Sequence, residues 1–391
     1  MGPSRTALFV AAIVLAGPSL AAFPGCGVDG GTDSGADADA VADADAVADV
    51  DVGGDADAVA DAEADGDSEF GAIVGFAQAE YAEDLALVGS HALVACKTNG
   101  VVVFDISDAT APAPVTTVDV GGEAWDLVID GERAFVAART AGLVVLDVSD
   151  PASPSIAGTF TPLDGSGVAF GVDAIALDGA TVYVGGGNGA NGFVAALDAS
   201  DPAAIGQTAV SEAVTGEAAT SLGAANDHVF FGGANGHLVV LDSSLAAVGS
   251  YFNPGTAGHE PWGLGITIDG DRLFYSDWGA GLVMLDISTP SAPSEVDVYT
   301  TADGIYDSAI ARNVVIAGTS HDRVAVVANS QGGLAVVDVT DTTLAELALL
   351  DIVPEGELAD GPHGVAIDAA RSLAVIADNM AQTITIVRIA D

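Results

Sequence analysis

Positive charge is what this sequence has least of. Nine Lys and Arg stand against 56 Asp and Glu in 391 residues, and Lys97 is the sole lysine. The formal charge of −47 argues against nucleic acid as a partner and against direct attachment to anionic lipid, since both are bound through clustered bases. Cysteine is nearly missing too. Of Cys26 and Cys96, the first follows an export signal and the second ends the apolar run Leu-Val-Ala-Cys96, where it reads as a buried, inert thiol. Helical spacing of apolar residues is absent. So are a nucleophile elbow, a Gly-rich phosphate loop opening a helix, and Cys/His metal-ligand spacing. Ser320, His321 and Asp322 are adjacent in an apparent turn and cannot form a triad without unusual folding. His91, His228 and His237 are scattered and read as surface or turn residues.

The ends of the chain read differently from its middle. Arg5 precedes an apolar stretch from Ala7 to about Gly17, too short to span a bilayer but suited to a signal peptide over residues 1–25. Phe23-Pro24-Gly25-Cys26 resembles a bacterial lipobox, with Cys26 as the acylated residue, although Phe23 and Pro24 depart from the usual residues there. Cleavage after Ala21 or Ala22 is the alternative and would give a secreted soluble protein. Residues 26–69 then form an Asp/Ala-rich tether whose like charges and lack of large apolar groups predict an extended coil. Within it, Asp61-Ala-Glu63-Ala-Asp65-Gly66-Asp67 imitates the start of a calcium loop. Its twelfth position is Ala72, where a bidentate Glu is needed, and no specific site is expected.

From residue 70 onward one phrase recurs: an apolar run ending in Asp, at Asp105, Asp147, Asp198, Asp242, Asp286 and Asp338, with Arg388 in the seventh copy. Spacings of roughly 42 to 52 residues mark a repeat architecture. Each repeat reads as four strands, with Asp-Gly hairpin signals at 130–131, 178–179 and 269–270. The third strands are apolar at consecutive positions, so both faces should be buried. Four-stranded antiparallel units covered on both faces describe propeller blades. First strands are predicted near residues 84, 126, 173, 220, 263, 313 and 364, giving an all-β, seven-bladed β-propeller. Thr300 to Asn313 reads as an inserted loop. The last repeat lacks a fourth strand, while Ala72-Ile-Val-Gly-Phe76 is spare at the start. Docking it into the last blade would close the ring and remove both free edges.

The phrases Gly-Leu-Val-Val-Leu-Asp147-Val-Ser-Asp-Pro-Ala-Ser-Pro and Leu-Asp286-Ile-Ser-Thr-Pro-Ser-Ala-Pro resemble LVIVD repeats, a propeller family of bacterial and archaeal surface proteins. Pro362-His-Gly-Val-Ala-Ile-Asp is similar to YVTN-type propeller repeats. The resemblance covers about residues 72–391 and implies a propeller, export and often surface attachment. It implies no agreed enzymatic activity and brings no catalytic residues.

Two kinds of candidate site follow. The strand-end Asp is copied into nearly every repeat, as a turn cap would be and a binding site would not. The starts of the first strands differ between repeats and open onto one mouth of the channel. There Asp84, Trp125, Asp126, Asp173, His259, Trp262 and His363 are the candidate ligand-binding residues, with Asp84, Asp126 and Asp173 as candidate calcium ligands. The competing reading has the two Trp plug the channel and the Asp side chains bond backbone across it. The expected protein is a monomeric, non-enzymatic binding module, exported and lipid-anchored to the outer membrane or cell surface. Its partner is an extracellular or envelope protein or a glycan, or a cation held at the mouth. A metal-dependent lyase or hydrolase at the mouth is the enzymatic alternative, and a structural envelope role the third. Only the enzymatic reading predicts a buried cluster of perturbed carboxyl groups there.

Overall fold

The computed structural model describes residues 70–189, 191–215, 219–233, 236–253, 262–301, 304–329, 333–350 and 361–390. The signal segment, the tether with Cys26, and His259 lie outside the described residues. Seven antiparallel sheets follow one another, each built of four strands ordered first to fourth, and in the third a short fifth strand, Val214–Thr215, also pairs with its third strand. The one helical piece among the described residues is the 3-10 turn Pro202–Ala204. No described helix is long and apolar enough to cross a membrane.

Blade 2 shows how sequence dictates the unit. Asp126–Asp130 turns at Gly131 into Arg133–Ala137, which pairs with Leu143–Asp147 and then Ser155–Phe160. Gly131 has φ 59°, a conformation a side chain resists, and this fixes the tight hairpin. In blade 4 the same turn is made by Asn226 and Asp227, at φ 55° and 59°, the residues that best tolerate it after glycine.

The consecutive apolar residues of the third strands have a direct physical reason. Val144 and Leu146 pack into the interface with blade 1, while Leu143 and Val145 pack into the interface with blade 3. Period-two alternation thus feeds two cores instead of one core and solvent. Seven apolar clusters result, one in each seam between neighbouring blades. The innermost first strands touch their neighbours around the whole circle.

The ring closes as expected. Ile73–Gln78 pairs with Thr383–Arg388 and supplies the fourth strand of blade 7. Cys96 is fully buried and free, and burial pushes its thiol up to about 12.

Blade 6 differs from the sequence reading. Its first strand is Ile305–Ile316 and its second Thr319–Asn329, so Thr300 to Asn313 is mostly strand and the start falls at 305, not 313. The two form a long hairpin in which Val314 and Ile316 are buried against blade 7. His321 therefore lies on a strand, not in a turn, with Nδ1 2.7 Å from Asp338 Oδ2 on the adjacent strand. The strand-end Asp is an internal cap, as its repetition predicts. Asp105, Asp147, Asp198, Asp242, Asp286 and Asp338 each accept the N–H two residues on, at 2.8 to 3.0 Å.

Candidate ligand site at the channel mouth

Asp84, Asp126, Asp173 and Asp307 occupy the same place at the start of the first strand in blades 1, 2, 3 and 6. Three of them reach across a seam. Leu127 N–H donates to Asp84 Oδ2 at 3.1 Å, Ile175 N–H to Asp126 Oδ2 at 2.7 Å, and Val365 N–H to Asp307 Oδ2 at 3.2 Å. In blade 4 the Thr220 hydroxyl plays the mirror role, donating to the Gly263 carbonyl. Glycine makes the close approach possible. A Cβ at Gly364 would stand 2.7 Å from Asp84 Cα, and one at Gly265 would stand 2.8 Å from the Tyr306 carbonyl oxygen.

Asp84, Asp126 and Asp307 are half-buried in the wall formed by the first strands. Loss of solvation raises all three carboxyl groups, Asp84 well above the ordinary range and Asp307 to about 7. Asp84 is raised further by the nearby charges of Asp126 and Asp307. A perturbed carboxyl cluster at the mouth is thus present, against what the binding and structural readings predicted. Its visible employment is to clasp backbone. Among the described residues no three His, Cys, Asp or Glu side chains are placed to hold a metal ion.

Asp173 does not join this cluster. Arg139 Nε lies 3.0 Å from Asp173 Oδ1 and its Nη1 3.0 Å from Glu123 Oε2. Burial raises Asp173, and Arg139 offsets part of that rise. Glu123 is held below the usual range by the same guanidinium. The Trp125 indole donates to Glu123 at 3.3 Å, and its ring is covered by Arg139 and Lys97, 4.4 and 4.9 Å from the centroid. An incoming cation would therefore have to displace the protein's own cations from Trp125.

Lys97 also pairs with Glu83. Glu83 accepts from Asn379 Nδ2 at 2.6 Å and lies 2.9 Å from His363 Nδ1. Burial acts to raise Glu83, but His363 and Lys97 outweigh it and hold the carboxylate ionised. His363 stacks on Tyr306 at 3.8 Å, and Tyr306 meets Trp278 edge-on at 5.1 Å. An arc of aromatic and charged groups thus runs from blade 5 through 6, 7, 1 and 2 to 3. Trp262 precedes the first strand of blade 5, where its carbonyl accepts Trp278 N–H at 2.9 Å. Beside Arg139 the arc borders a cleft of about 570 Å³ lined by Thr98, Asp119, Glu123, Thr140 and Asp173 and backed by glycine backbone.

Sequence reasoning missed Tyr306, Asp307, Arg139 and the role of Lys97. Two signals were present. Tyr306-Asp307 echoes Trp125-Asp126, and Lys97-Thr98-Asn-Gly100 is repeated as Arg139-Thr140-Ala-Gly142. Lys97 and Arg139 share a left-handed backbone, φ 42° and 44°, and each bridges to the next blade, at Ala124 and Val172.

Such a ring of seven clasped blades around a decorated mouth is a β-propeller. Three of its stretches, residues 79–120, 121–161 and 264–301, match the LVIVD repeat model, so the chain is a seven-bladed propeller that carries LVIVD repeats. No curated protein matches it in sequence. Among solved structures, a chain of a mitotic checkpoint complex superposes with TM-score 0.61 at 12% identity, covering 83% of this chain and 94% of that one. The computationally designed Ika8 protein gives TM-score 0.53 at 12% identity, covering 82% and 100%. Both likenesses concern the fold alone.

Proposed function

We propose that the protein is a non-enzymatic interaction module that takes a polar, hydroxyl-rich ligand, such as a glycan, at the mouth beside Arg139. The observation that carries this reading is the convergence at this mouth of non-repeated charged and aromatic side chains from several blades beside a glycine-backed cleft. At the other end a cleft of about 560 Å³, lined by Arg272, Asp338, Thr340 and Asp341, involves two blades alone, and its Asp338 caps its own turn. The mouth cleft offers carboxylates, threonine hydroxyls and one guanidinium, the fork-shaped and bifunctional groups that engage vicinal hydroxyls. The lipobox-like Cys26 and the acidic tether support display on a bacterial surface. Screening the full-length protein on a glycan array tests the reading. Selective binding lost in Arg139→Ala and Glu123→Ala, with an unchanged melting curve, is the expected result. Binding that survives both changes, or no binding to any glycan, would remove the cleft as the site. Replacing Cys26 by Ser should release the protein from membranes; continued membrane association would dismiss the anchor.

A further inference from the structure

Lys97 is the sole lysine among nine bases, and it stands where two other polar side chains meet. Glu83 Oε1 accepts from the Lys97 ammonium and from Asn379 Nδ2, the latter at 2.6 Å. One carboxylate oxygen thus joins an amine of blade 1 to a carboxamide of blade 7. The two hold equivalent places in neighbouring blades. Each stands two residues past the Ala that pairs with the start of its first strand, Ala95 with Asp84 and Ala377 with Gly364. Blade 2 has Arg139 at this place, and a guanidinium stays charged where an ammonium can be turned into a nucleophilic amine.

We propose that Lys97 and Asn379 are the partners of an intramolecular isopeptide bond, formed with Glu83 as the proton carrier, that staples blade 1 to blade 7. All three side chains are held in place. Lys97 has its backbone bridged to Ala124 by two bonds of 3.0 Å. Asn379 lies in a turn capped by Asp378, which accepts the N–H groups of Met380 and Ala381 at 2.9 and 2.7 Å. His363 Nδ1, 2.9 Å from Glu83 Oε2, fixes the carboxylate and leaves Oε1 to the two reacting groups. Such fixed neighbours are what turns a slow encounter into an intramolecular step. Water is largely kept away, since the Glu83 side chain is only 8% exposed and the Trp125 ring lies 4.9 Å from Lys97 Nζ.

The step balances without any further reactant. Lys97 gives one proton to Glu83 Oε1, and the freed amine attacks Asn379 Cγ. The new C–N bond forms as the carbonyl electron pair moves onto Oδ1. When that pair returns, the Cγ–Nδ2 bond breaks, and Nδ2 departs as ammonia with the proton that Glu83 held. Glu83 then takes a second proton from the new amide nitrogen and passes it to the ammonia, which leaves as ammonium. The ring is closed by the pairing of Ile73–Gln78 with Thr383–Arg388. An amide between Lys97 and Asn379 adds a covalent closure where the first and last blades meet. It encloses nearly the whole propeller in one loop, which restricts the unfolded chain. The bond stands independently of which ligand the mouth takes.

Protease digestion of the denatured full-length protein, followed by mass spectrometry, tests this. The expected product is a branched peptide that contains both Lys97 and Asn379 and is lighter than its two parts by one ammonia. Lys97→Arg and Asn379→Ala should each abolish it. Glu83→Gln keeps both reacting groups and should abolish it too, with the folded state of the variant checked by its melting curve. Wild-type protein that yields Lys97 and Asn379 in separate, unmodified peptides would overturn the proposal, whether or not any variant folds. Loss of ammonia confined to an Asn379 peptide without Lys97 would mean an internal succinimide and would overturn it as well. A folded Glu83→Gln variant that still gives the branched peptide would remove Glu83 from the proton transfer.

Discussion

Aspartate does two different things in this molecule, and environment alone separates them. At the strand ends, Asp147 and its equivalents stand in water and are held below their usual range by the serine hydroxyls and amides they cap. In the channel wall the same side chain loses solvation and is pushed the other way. What admits the channel Asp is a missing side chain opposite. A Cβ at Gly364 would meet Asp84 Cα at 2.7 Å and Asp84 Oδ1 at 2.9 Å. The first contact is backbone and can move only with its strand, so Gly364→Ala should cost about 1–3 kcal/mol, the usual penalty of overpacking. Chemical denaturation measures this. Stability equal to the wild type would mean that the strands around Asp84 are not held in close register.

At the scale of elements, the repeat made most of the fold legible. Third-strand runs such as Leu143–Asp147 announced burial on both faces, and the spare strand Ile73–Gln78 went where an unpaired edge demanded one. Blade 6 was misread because its hairpin is extended, with strands of 12 and 11 residues. The regular spacing then pointed to residues eight places too far along, and Asp307 was lost with them. The site was less legible than the fold for a related reason. Arg139 is far in sequence from Asp173 and meets it only when the seam between blades 2 and 3 closes, while Lys97 reaches Glu83 across the first hairpin of blade 1, a pairing that needs the register of that hairpin. Ring closure also yields a prediction. Ile73–Gln78 pairs with blade 7 through five residue partners, and at roughly 1 kcal/mol net per hydrogen bond its ladder alone is worth a few kcal/mol. A chain beginning at Ala79 should therefore melt well below the intact protein and associate through the bared edge Thr383–Arg388. Monomeric behaviour with an unchanged melting point would show that the ring does not depend on this strand.

For the whole molecule, two electrostatic loads of different character act at once. Residues 70–391 hold 41 acidic and 8 basic side chains, and the repulsion among exposed acids is long-ranged. It should be strongly felt at about 10 mM salt, where the screening length is roughly 30 Å, and nearly gone at about 1 M, where it is roughly 3 Å. The channel carboxyl groups are a separate load that salt reaches poorly. An unfolded chain releases their protons near the ordinary value of 3.8, whereas folded Asp307 does so only at about 7. Between those values the unfolded state binds fewer protons, so stability is full below about pH 4 and falls as pH rises toward 7. The gap sets a ceiling of ~4 kcal/mol for Asp307, and its partial solvent exposure lowers it. Melting curves over pH 4–8 at low and high salt separate the two loads. Salt should raise the melting point most at neutral pH, where the surface acids are ionised, and a residual fall with pH should survive at about 1 M salt. Asp307→Asn should flatten that residual fall while leaving the salt effect nearly intact. A pH dependence that salt abolishes entirely would assign it all to the surface and leave the channel carboxyl groups ionised without cost.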